Sequence, residues 1–167
     1  DRKLAPYQPE EWHWVVKESV KTLNENHWIP AFTLIMGLDN DETPEDGWET
    51  IRLINELERE QPDSMFTATP LTFIPIGLLE KSQFYDIGSG NDPTQLGVMY
   101  KTWQHNFKYG IKKFMTKTGQ SGSFRRTAFN GLARTLGGLP LGAMEKFARR
   151  RGPEYERVID KIKVQYW

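Results

Sequence analysis

The densest group of ionisable side chains lies between residues 39 and 46, where Asp39, Asp41, Glu42, Glu45 and Asp46 crowd together. Carboxylates at that density suit a hard cation such as magnesium, which prefers oxygen ligands. They suit equally well a solvated loop running into a helix, because acidic residues are favoured at a helix amino terminus. Just before them, Thr33-Leu34-Ile35-Met36-Gly37-Leu38 ends an apolar run on a glycine, where the backbone could approach a ligand closely. A tight turn into the next helix is the competing reading of Gly37. The acidity of the loop disfavours a phosphate cradle there.

A second constellation is cationic. Lys108, Lys112, Lys113, Lys117, Arg125, Arg126, Arg134 and the run Arg149-Arg150-Arg151 alternate with Trp103, Phe107, Tyr109, Phe114, Phe124 and Phe129. Cations could grip a nucleic-acid backbone while aromatic rings stack on bases. The same residues could lie on an anionic membrane surface. They could also belong to ordinary helices whose rings pack inward and whose charges are solvated or paired within the protein. The formal net charge of zero hides this polarity: residues 1–100 hold 18 Asp and Glu against 7 Lys and Arg, so the two parts carry −11 and +11. Such asymmetry points to two segments with different partners, or to segments that face each other.

Other chemistries are closed off by composition. The 167 residues include no cysteine, which removes disulfides, thiolate metal sites, iron–sulfur ligation and cysteine nucleophiles from this chain. The 3 histidines, His13, His27 and His105, are scattered, which argues against a transition-metal site. Residues 1–30 carry no basic and apolar leader pattern, and no apolar run is long enough to span a membrane, so a cytoplasmic protein is expected.

The elements that would position these residues follow from periodicity. Trp12, Val15, Val16, Val20 and Leu23 recur at helical spacing and predict a helix from Gln8 to Asn26. Ile29 to Met36 is short and continuously apolar, the pattern of a parallel strand buried on both faces. Thr43 then suits an N-cap, Pro44 the first helical position, and Trp48, Ile51, Ile54 and Leu57 a buried stripe ending before Pro62. Met65 to Ile74 reads as a second strand, irregular at Pro70. After a Gly- and Asp-rich loop, helices are expected over residues 94–115, with Leu96, Met99, Tyr100, Trp103, Phe107, Ile111 and Phe114 as the stripe, then over 124–136, 141–150 and 153–164.

The stretches HWIPAFTLIMGL, ET-PED, WETIRLINEL and TPLTFIPIG resemble the second half of a radical S-adenosylmethionine enzyme, most closely its cobalamin-binding members. The resemblance runs from Tyr7 to about Leu79 and implies an α/β fold: a partial (β/α) barrel followed by a mostly α-helical carboxyl-terminal region. It divides the chain into residues 1–79, a linker over 80–93 and a basic helical region over 94–167. In that family a G-x-I-x-G-x-x-E strand helps hold the adenine and ribose of S-adenosylmethionine. The matching positions are Ile35 and Gly37, with Thr33 in place of the first glycine and Asn40 where the pattern has Glu. Pro70 and Leu71 would shape the neighbouring strand end. The family's C-x-x-x-C-x-x-C motif is absent. The resemblance therefore implies that the 4Fe-4S cluster and cobalamin are bound by residues outside this chain, that an upstream half-barrel and a cobalamin domain are its partners, and that these residues alone are inactive. Methyl transfer or a related radical modification of an unknown substrate, small or macromolecular, is the implied reaction of the parent. The alternative is a non-catalytic module binding RNA or an anionic surface through the basic helices.

Overall fold

The computed structural model describes residues 11–36, 43–62, 65–70, 92–110 and 138–165. Helix α1 spans Trp12–Glu25. Its Val16 and Val20 fall one turn apart on the same face and pack inward. The helix stops where His27 turns to a φ of 64°, a left-handed conformation that a non-glycine residue adopts sparingly. Trp28 N–H then donates back to the Leu23 carbonyl at 2.9 Å, closing the last turn.

Strand β1 covers Ala31–Met36 and strand β2 covers Met65–Pro70. They pair in parallel, Ala31 opposite Met65 through Met36 opposite Pro70. Between them runs α2, Pro44–Glu60, with Thr43 as N-cap and proline at its start. Phe32 and Leu34 of β1 pack beneath Val20 of α1 and Ile54 and Leu57 of α2, whereas Ala31 and Thr33 are exposed. Side chains alternate between the faces of a strand, so this pattern means that helices cover one face of β1 only. The expected burial on both faces is thus corrected.

Helix α3, Pro93–His105, lies along α2 and is followed by a π-helical turn, Asn106–Gly110. Asp92 caps it, its carboxylate accepting from the Thr94 N–H at 2.9 Å and from the Thr94 hydroxyl. Near the amino-terminal ends of α2 and α3, Gly47 faces Thr94 so closely that a Cβ there would come within 2.7 Å of the Thr94 Cβ. Ile51 and Val98 join in the next layer. Of the stripe expected for this helix, Tyr100 is buried and Leu96 and Met99 pack against the core, but Trp103 is exposed. The buried side also carries Thr94, Val98, Lys101, Thr102 and His105.

Helical residues 138–151 form α4, and α5 spans Pro153–Gln165. Pro140 therefore lies within the helical segment rather than ahead of it. A single residue, Gly152 at φ 135°, separates α4 from α5. Ala148, Ile159 and Ile162 bury themselves with Ile51, Val98 and Tyr100, so α2, α3, α4 and α5 share one core. Tyr100 donates its hydroxyl to Glu145 at 3.0 Å, Lys163 pairs with the other Glu145 oxygen at 2.8 Å, and Lys161 stacks on Trp48 at 4.1 Å.

The expected partial (β/α) barrel is not borne out. Helix dominates the described residues, and the strands among them are the single pair β1 and β2, with no barrel. The physical reason lies in α2: Ile54 and Leu57 cover β1, but Ile51 is buried with residues of α3, α4 and α5, so a helical core stands where strand after strand would be needed for closure. No helix among the described residues is long and apolar enough to cross a membrane.

Candidate functional site

Parallel, in-register pairing sets the carboxyl ends of β1 and β2 side by side, Ile35 opposite Thr69 and Met36 opposite Pro70. Of the five positions singled out by resemblance, Thr33, Ile35 and Pro70 thus fall on one short stretch of paired backbone. Thr33 is exposed on the uncovered face. Gly37 and Leu71 lie outside the described residues, as do Asp39, Asn40, Asp41 and Glu42. What the stretch offers is an exposed hydroxyl, that of Thr33, on the face of β1 away from Phe32 and Leu34, next to the paired strand ends.

The described acidic residues near this end serve the helix. The Thr43 N–H and hydroxyl both donate to the Asp46 carboxylate, at 2.7 and 2.8 Å, while Asp46 N–H donates to the Thr43 carbonyl at 3.1 Å. The Thr43 backbone hydrogen bond holds the Asp46 carboxyl below its ordinary range, and the Thr43 hydroxyl adds to the effect. Glu45 pairs with Arg52 at 2.6 Å. Among the described residues no group of three His, Cys, Asp or Glu could hold a metal ion.

A buried polar cluster escaped the sequence reading. Glu58 of α2 accepts from Lys101 Nζ at 2.7 Å and pairs with His105 Nδ1 at 3.2 Å. Lys101 also donates to Gln104 at 3.3 Å, and the Tyr109 ring of the π turn lies 5.2 Å from the His105 ring. Burial pushes the Glu58 carboxyl up, but hydrogen bonds from His105 and Lys101 outweigh it and leave the group below its ordinary value. Burial lowers the Lys101 ammonium against the opposing pull of Glu58. Both Glu58 oxygens are engaged and Lys101 and His105 are almost fully buried, so the cluster clamps α2 to α3 and does not present a reactive group. The Lys101/His105 spacing of four residues and an acid near the end of α2 were the available signal. It was missed because Trp103 and Phe107 gave α3 a different apolar stripe. Asn55, one turn before Glu58, and Thr102, next to Lys101, are buried with side-chain polar atoms that have no hydrogen-bond partner.

The cationic residues divide. Lys108, Arg149, Arg150 and Arg151 are exposed, whereas Lys112, Lys113, Lys117, Arg125, Arg126 and Arg134, with Phe114, Phe124 and Phe129, lie outside the described residues. Compared with family models, with curated proteins and with solved structures, the chain finds no match in any of the three.

Proposed function

We propose that this chain is the carboxyl-terminal portion of a radical S-adenosylmethionine enzyme of the cobalamin-binding kind, whose parent performs methyl transfer or a related radical modification. The observation that carries this reading is the uncovered face of β1, where Thr33 is exposed beside the paired strand ends. A parallel strand with one face open to water leaves a surface for something else to cover. The motif positions Thr33, Ile35, Gly37, Pro70 and Leu71 would form the adenine side of that pocket.

The residues present fit the nucleoside and not the metal groups. An exposed hydroxyl and strand-end backbone suit an adenine edge and ribose, whereas a chain without cysteine has no thiolate for an iron–sulfur cluster. Cluster and cobalamin would be held outside this chain and supply the electron-transfer and methyl-carrying chemistry. The chain's own contribution is binding: Thr33 orients the nucleoside, the strand ends hold it by backbone groups, and the helices keep β1 rigid from behind.

Thr33→Arg in the parent enzyme tests this. The side chain points away from the core, so iron content and melting temperature should hold while the Kd for S-adenosylmethionine rises about tenfold or more, roughly 1.4 kcal/mol. Unchanged affinity would refute the assignment, as would turnover of labelled S-adenosylmethionine by the 167-residue chain alone.

A further inference from the structure

The outward face of α4 combines two features that the core does not use. Leu139, Ala143 and Phe147 recur every four residues along one side of the helix, and all are exposed, Leu139 by 63% and Phe147 by 46%. Gly142 sits beside them with open space where a Cβ would be. Lys146, Arg149, Arg150 and Arg151 surround this stripe and are exposed as well. The acidic residue of the segment, Glu145, is turned inward to Tyr100 and Lys163. From the neighbouring α5, Glu154 and Glu156 are exposed, and Glu156 meets Arg149 at 3.6 Å, leaving a clear cationic excess on this side of α4.

We infer that this face of α4 docks on an anionic phospholipid surface, with Leu139, Ala143 and Phe147 entering the headgroup boundary and the cations meeting lipid phosphates. Exposed apolar side chains ringed by Lys and Arg supply the two attractions of an interfacial helix, apolar burial and charge complementarity. Nucleic acid fits the face less well. Leu139 and Ala143 have nothing to offer a phosphate or a base, and one face of the Phe147 ring is already covered by the Arg151 guanidinium at 5.4 Å. The inference rests on α4 alone and is independent of the S-adenosylmethionine reading.

Vesicle co-sedimentation of the whole chain tests it, using phosphatidylcholine vesicles with and without about a third phosphatidylglycerol. The chain should partition to the anionic vesicles and not to the neutral ones, and should be released at roughly 0.5 M salt. Leu139→Ser with Phe147→Ser, and separately Lys146→Gln with Arg150→Gln, should each weaken partitioning about tenfold or more. Circular dichroism and melting temperature should not change, because all four side chains are exposed. The inference is overturned by three results: absence of partitioning, equal binding to neutral vesicles, or undiminished binding in both variants. Tighter binding of a single-stranded RNA oligonucleotide than of vesicles, unaffected by the serine variant, would assign the face to nucleic acid instead.

Discussion

Helix α2 looks two ways, and its neighbours on the two sides obey different rules. Toward α3 and α5 every layer is filled: Gly47 against Thr94, Ile51 with Val98 and Ile162, Glu58 with Lys101 and His105. Toward the strands it covers Phe32 and Leu34 and stops there, so that Ala31 and Thr33 face water. The first side holds its elements by mutual burial, where small changes in volume or charge are costly. The second holds β1 from behind and leaves its front for another surface. Stability should therefore reside in the helical interface, with little of it on the exposed face of β1.

The comparison breaks most readily at Glu58. Glu58→Ala strands a buried ammonium and should cost about 3 kcal/mol or more in a urea titration, since removing one member of a buried pair leaves the other uncompensated. The acid limb of the same titration carries a sign. The folded-state carboxyl lies below its ordinary 4.5, so its contribution is present above that pH and is lost as pH falls through the folded value. The alanine variant should lose part of that slope, and an unchanged slope would place the stabilising contact elsewhere.

A smaller loss is expected at Gly97. An added Cβ would stand 2.6 Å from Val158 Cγ1 and 3.2 Å from Ile162 Cδ1, so Gly97→Ala should cost about 1 kcal/mol net of its gain in helix propensity. Val158→Ala in the same chain should relieve the crowding, read as a partial recovery in melting temperature. The smallest effect should come from the other side of the comparison. Thr33→Val, isosteric and exposed, should move stability by no more than about 0.5 kcal/mol; a large change would mean that the face is covered.

Local patterns carried well into the structure where a single element settles them. Thr43-Pro44 marks the start of α2, Ile51, Ile54 and Leu57 are buried as their spacing implies, and Pro153 opens α5. What did not carry was long-range. The apolar run of β1 read as buried on both faces because sequence cannot say which side receives helices. On α3, Leu96, Met99 and Tyr100 meet the core as their spacing implies, but Lys101 and His105 join them because Glu58, 43 residues before Lys101, is what makes a buried Lys101 tolerable. Partners that far apart leave no periodic trace, and a lysine without its acid looks like a surface residue. The candidate site was legible only through resemblance, since Thr33, Ile35 and Pro70 have no shared local pattern and meet through strand register.

Gly152 has a consequence of its own. It stands alone between α4 and α5 at a φ that side chains bearing a Cβ rarely adopt, and the helices close onto it from both directions, Gly152 N–H to the Ala148 carbonyl and Glu156 N–H to the Gly152 carbonyl. A one-residue joint so tightly tied acts as a rigid bracket rather than a swivel. The Gly152 torsion and the burial of Ala148 together set the angle of α4 against the core, so the tilt of its cationic side is built into the fold.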